Sequence, residues 1–156
     1  METETKEHDL EQAADLYDAD FFNWTQCTAQ LIRQGRFHEI DAEHVAEEIE
    51  VMGKRDRREI RSRLIVLVKH LLKWQFQPER RQRSSWGATI VEQRTQLALA
   101  LNDSPSLRSV ARNEIPKLYA NAVRGAIRET RMDAGSFPSS CPYAAEEILD
   151  PDFFPE

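Results

Sequence analysis

Apolar residues recur along this chain at helical spacing. From Asp56 to Phe76 they fall at Ile60, Leu64, Leu67, Leu71 and Trp74, and Ile65, Val66, Val68 and Leu72 extend them around almost the whole circumference. A helix that is apolar on every side is a buried one. The pattern therefore predicts a central helix over about 57–76, in contact with at least two neighbours. Pro78 ends it, since proline lacks the amide donor and its ring crowds the preceding turn. Upstream, Asp18 or Asp20 can cap a helix running to about Gln34, with Phe21, Trp24, Thr28, Leu31 and Ile32 on one side and Gly35 as its stop. Asp41 caps the next helix. Its stripe is Val45, Ile49 and Met52, and its opposite face is Glu43, Glu47 and Glu50. Gly53, followed by Asp56 and Glu59 at capping-box spacing, predicts a break before the central helix. An unbroken helix from 41 to 76 would be ~54 Å long at 1.5 Å per residue, excessive for one compact body.

Beyond the polar, basic linker ERRQRSS, Ser84 or Ser85 caps a helix carrying Trp86, Ile90, Leu97 and Leu101. Ser104 and Pro105 have the cap and first-position pattern of another helix start. Pro116 kinks or restarts that helix, and Leu118, Tyr119, Ala122, Ala126 and Ile127 carry its stripe to about Met132. The tail holds Phe137, Tyr143, Phe153 and Phe154, too many aromatics for a free end, so it should lie across the bundle with one short helix near Tyr143–Leu149. No alternating apolar and polar run suggests a sheet. The expected fold is all-α: a compact multi-helix bundle around the helix at about 57–76, with the C-terminal tail packed across it. Residues 1–9 are expected to form a flexible tail and 10–156 a single helical domain.

A chain of 156 residues that is 40% hydrophobic fits a globular domain able to bury a core without staples. Cys27 and Cys141 form neither a disulfide framework nor a zinc pattern. The acidic N-terminus lacks the apolar segment of a secretory signal. The longest apolar run, Leu64 to Val68, falls far short of the ~20 residues of a membrane span. A cytoplasmic protein with no membrane partner is expected. The net charge of −6 hides an asymmetry, with residues 1–53 at net −11, 54–94 at +8 and 95–156 at −3. Such a split points either to an anionic partner or to acidic and basic helices that neutralise each other.

The basic set is the main chemical feature. Arg57, Arg58 and Arg61 open the central helix, with Arg55 and Arg63 beside them, and Arg80, Arg81 and Arg83 follow its far end. Arginine suits bidentate contact with phosphate, and a neighbouring Trp74 or Trp86 could stack a base. The two clusters lie a helix length of ~30 Å apart, so they form one patch only if their faces align. Partial internal pairing with Glu43, Glu47 and Glu50 is expected, with Arg80–Arg83 freer. A second candidate is a polar pocket of His70, Trp74 and Gln77, which share a helix face at i, i+4 and i+7. The bland alternative for His70 is a buried ring satisfied by one hydrogen bond. His44 and Glu48 could ligate a metal together, but neither a Glu-x-x-His pair nor a His-Glu-x-x-His motif is present, so no metal and no cofactor are expected. No nucleophile elbow and no phosphate-binding glycine loop occur, so no catalytic residue is assigned.

The ordered series AEEIEVMG (46–53), RSRL (61–64), HLLKWQFQPERR (70–81), SW (85–86), VEQR (91–94), SPSLR (104–108), FP (137–138), CPY (141–143) and DPDFFPE (150–156) resembles domain-of-unknown-function family 29, as does the opening LYDADFFNWTQ. The resemblance runs from about residue 16 to the end. It implies a small, all-helical bacterial protein without an assigned activity. The expected function is a non-enzymatic protein-interaction module. Nucleic-acid binding through the arginine clusters at 55–63 and 80–83 is the alternative, and an enzyme or metal site near His70 is a third reading.

Overall fold

The computed structural model describes residues 16–156, and the expected flexible tail at 1–9 lies outside them. Among the described residues the secondary structure is helical, without strands. The longer elements are α1 (Phe21–Arg33), α2 (Ala42–Phe76), α3 (Trp86–Asp103), α4 (Leu107–Thr130) and the short α5 (Ala145–Leu149). Single 3-10 turns at Phe37–Glu39, Pro78–Arg83 and Ala134–Ser136 join them. The chain divides into two compact units, 1–54 and 55–156.

In the first unit, local chemistry sets both ends of α1. The Asp20 carboxylate accepts the Asn23 amide at 3.0 Å. At the other end the Gly35 amide bonds the Ile32 carbonyl and the Arg36 amide bonds the Leu31 carbonyl, each at 3.0 Å. Those two bonds form a Schellman motif, which needs the positive φ of 71° that Gly35 adopts without strain. Asp41 then caps α2 by accepting the His44 amide at 3.2 Å.

The predicted break at Gly53 does not occur, and α2 is one helix of 35 residues. Glycine in a helix interior costs only about 1 kcal/mol, and the ladder absorbs it. Ion pairs one turn apart support the helix on either side: Glu50 with Lys54 at 3.1 Å and Glu59 with Arg63 at 2.8 Å. Excessive length would be an objection only for a helix confined to one compact body. Every residue of α2 from Val51 to Glu59 is exposed.

The second unit holds the core. Ile60, Leu64, Leu67, Val68, Leu71 and Leu72 of α2 are fully buried, as the apolar run predicted. They pack with Ile90, Leu97 and Leu101 of α3, with Ala111, Ile115, Leu118, Tyr119, Ala122 and Ala126 of α4, and with Phe137, Tyr143 and Ile148 of the C-terminal segment. Alanines at three buried positions of α4 leave room for the bulky side chains of α2. Two helix boundaries differ from expectation. The helix expected to start at Ser104 begins one turn later, because Ser104 and Pro105 form a turn whose carbonyls accept the Leu107 and Arg108 amides. Pro116 neither restarts nor ends α4, which runs through it.

The tail does lie across the bundle. Phe154 meets Trp74 at 5.0 Å between ring centroids, Phe153 meets Tyr143 at 5.9 Å, and Phe137 meets Phe76 at 5.4 Å. The Tyr143 hydroxyl donates to Gln75 Oε1 at 2.8 Å. Arg94 fastens this strap. Its guanidinium, 5% exposed, donates from Nε to the Ile148 carbonyl at 2.8 Å, from Nη1 to the Phe153 carbonyl at 2.7 Å and from Nη2 to the Glu147 carbonyl at 3.2 Å.

Candidate functional site

The 3-10 turn Pro78–Arg83 lies directly after α2, where Pro78 prevents the helix from continuing. Its residues, with Trp74 and Ser84, line an open cleft of about 1050 Å³: Pro78, Glu79, Arg80, Arg81, Gln82 and Arg83. Side chains three apart eclipse in such a turn, so Arg80 and Arg83 leave the same side. The Arg81 Nε donates to the Trp74 carbonyl at 2.7 Å, and its guanidinium sits 5.4 Å from the centre of the Trp74 ring. Arg80 lies 5.9 Å from the Trp86 ring centre. These are cation–π distances, and the rings hold two guanidinium groups in place. Gly87 permits this packing, since a Cβ there would come within 3.3 Å of Trp74 Cζ3. Among the described residues, none of the three arginines forms an ion pair with a carboxylate.

The other arginine cluster is used differently. Arg57 pairs with Glu114 at 2.8 Å, and Arg61 approaches the same carboxylate at 3.8 Å. Glu114 is 4% exposed, and the Arg57 hydrogen bond, with help from Lys117, holds its carboxyl below the usual range. Arg58 is exposed. Arg57, Arg61 and Arg63 of the first cluster therefore find their acids at Glu114 and Glu59, whereas Glu43, Glu47 and Glu50 belong to the first unit.

Of the expected pocket residues His70, Trp74 and Gln77, Trp74 lines this cleft and the other two do not. His70 Nδ1 donates to the Val66 carbonyl at 2.7 Å, and burial lowers its pKa, so the ring is a neutral, satisfied histidine. Gln77 Oε1 is buried without a hydrogen-bond partner. Next to His70, Lys69 and Lys73 both reach Glu129 at 2.6 Å, and Lys73 also stands 4.8 Å over the Trp86 ring. His44 and Glu48 have structural partners. His44 bonds Asp41 at 2.6 Å and stacks on Tyr17, whose hydroxyl donates to Glu48 at 2.6 Å. No group of three or more potential metal ligands occurs among the described residues.

Sequence reasoning missed a second feature, the surface of the first unit. Each of its two helices carries an apolar stripe in the sequence, yet Trp24 alone is buried among that unit's described residues. Phe22, Phe37, Ile49 and Met52 are 74%, 67%, 64% and 64% exposed, and Phe21, Ile32 and Val51 are exposed as well. At 100° per residue, Phe21, Thr25, Thr28 and Ile32 share one side of α1, and Val45, Ile49 and Met52 share one side of α2.

The architecture defines the class first: an all-α protein with a tightly packed helical unit and a thinly packed one. The chain belongs to the family described as Domain of unknown function DUF29, whose model matches residues 16–154. Among curated proteins and among solved structures, none matches the chain. No helix of the described residues is long and apolar enough to cross a membrane.

Proposed function

We propose that this protein is a non-enzymatic interaction module, and that its first unit docks a protein partner through exposed apolar side chains of α1, of the Phe37–Glu39 turn and of the first part of α2. The carrying observation is the exposure of Phe22, Phe37, Ile49 and Met52 in a unit whose described residues bury only Trp24. Exposed apolar surface of this kind marks an association site, because water gains when it is covered. Charge selects the partner. Residues 1–53 carry net −11, so two copies meeting face to face through this unit would repel. A partner helix with an apolar side and flanking lysines or arginines fits both properties, and the negative field steers it in.

The test uses a labelled Leu/Lys amphipathic peptide and its Leu/Glu counterpart, titrated with the full chain by fluorescence anisotropy. The Leu/Lys peptide should bind, weaken with salt, and lose binding to the Phe22→Ser/Ile49→Ser/Met52→Ser variant. Equal binding of both peptides, or binding unchanged in the variant, contradicts the proposal. Affinity capture from the native host, run in parallel with wild type and this variant, should yield a protein that the variant loses. Self-association in sedimentation velocity that the variant abolishes would put a second copy on the face instead and overturn the choice of partner.

A further inference from the structure

We propose that the cleft beside the Pro78–Arg83 turn is a binding site for a compact, multiply charged phosphate ligand. Three arginines fall within four residues, and one acid, Glu79, lines the same cleft. Elsewhere in the second unit, Arg57 and Arg61 meet Glu114, Lys69 and Lys73 meet Glu129, and the buried Arg94 is taken up by tail carbonyls. Arg80, Arg81 and Arg83 meet no carboxylate among the described residues, and they line an open cleft. Two of them are already oriented, Arg81 by its bond to the Trp74 carbonyl and Arg80 by the Trp86 ring. A guanidinium held in place loses less freedom when it binds, and its planar fork matches the oxygens of a phosphate. Arg83, one eclipsed step from Arg80, can close on the ligand from the same side.

The geometry selects among phosphate sources. A nucleic acid needs a continuous cationic track, but Arg57 and Arg61 are engaged by Glu114. Base stacking is also disfavoured, since Trp74 already meets both Phe154 and Arg81, and Trp86 is 7% exposed and meets Lys73 and Arg80. The ligand is therefore read through its phosphates and not its bases. The cleft suits a short polyphosphate or a small molecule bearing one.

The experiment is isothermal titration of the full chain with inorganic tripolyphosphate, with ³¹P line broadening as a second readout. Binding should weaken at least tenfold in Arg80→Gln/Arg83→Gln and stay unchanged in Arg58→Gln, with circular dichroism and the melting curve of each variant matching wild type. Arg81 is left intact because its bond to Trp74 also supports the turn. A single Arg83→Glu variant, at an exposed position of the cleft lining, should show the same loss. Absence of binding, or binding indifferent to these substitutions, overturns the proposal. Single-stranded oligonucleotides of increasing length form the other arm. Affinity that does not grow with length agrees with a compact site, and affinity that rises steadily with length would show a polymer track and overturn the choice of ligand.

Discussion

The two units solve the problem of apolar surface in opposite ways. The second surrounds one helix with two others and a strap, so that six apolar residues of α2 between Ile60 and Leu72 are sealed from water. The first has the same kind of sequence, amphipathic helices with capped ends, but among its described residues buries one indole and leaves Phe22, Ile49 and Met52 in solvent. The difference lies in the number of layers. Two helices can cover one stripe each, and a third element is needed before a core closes. What the second unit gains from α3, α4 and the tail, the first gains from a partner in the function proposed above.

The comparison breaks most readily at the core of the second unit. Leu67→Ala or Leu71→Ala should cost about 2–5 kcal/mol, because a cavity opens where neighbours cannot collapse. Urea denaturation is the check, and a loss under about 1 kcal/mol for both would mean that α2 is not central. Arg94→Met should follow at about 2–4 kcal/mol, since three tail carbonyls lose their donor and buried acceptors left unpaired are costly. The same variant should expose the segment after Tyr143 to proteolysis, and an intact tail with unchanged stability would contradict the role given to Arg94.

Acid separates the units more finely. Burial pushes the Glu129 carboxyl up, but hydrogen bonds from Lys69 and Lys73 outweigh it and hold the pKa at about 2, from an ordinary 4.5. A carboxyl depressed in the folded state stabilises it above the unfolded pKa and loses that contribution as pH falls through the folded one. The second unit should therefore weaken between pH ~4.5 and ~2, and Glu129→Gln should flatten that part of the pH–stability curve. In the first unit the Asp41–His44 pair acts with the opposite sign at its upper edge. The Asp41 hydrogen bond raises the His44 pKa, so that contribution is lost as pH rises through it. The smallest effect belongs to the exposed stripe. Phe22→Ser, Ile49→Ser or Met52→Ser should each change the melting of the isolated protein by less than about 0.5 kcal/mol. A loss of several kcal/mol would mean that these side chains already have a core.

Periodicity made the second unit legible. The run LIVLVKHLL announced a buried helix, and the aromatics at Phe137, Tyr143, Phe153 and Phe154 announced a strap, because both signals come from how much apolar surface a segment must hide. The stripe of α3 also contained an unread clue. Arg94 stands in register with Trp86, Ile90, Leu97 and Leu101, and a charge at a core position has to find partners, here the tail carbonyls. The continuity of α2 was not legible, since the cost of Gly53 is small and ion pairs one turn apart decide it. Nor was the division of labour among the arginines. Charge totals reveal an excess, but only the fold brings Glu114 to Arg57 and leaves Arg80, Arg81 and Arg83 around a cleft. The open face of the first unit escaped notice because a stripe in sequence looks the same whether or not something covers it.

Hydrogen exchange of the full chain, measured alone and with the Leu/Lys peptide, tests the central claim most directly. Thinly packed regions open locally at small free energies, while core helices exchange only through global unfolding. Alone, amides of α1 and of residues 42–54 should exchange at least ~100-fold faster than those of residues 60–73. With the peptide, protection should rise in the first unit and stay constant in the second. Equal protection of both units in the free protein, or peptide protection confined to residues 55–156, would contradict the account of the first unit as a surface awaiting its partner.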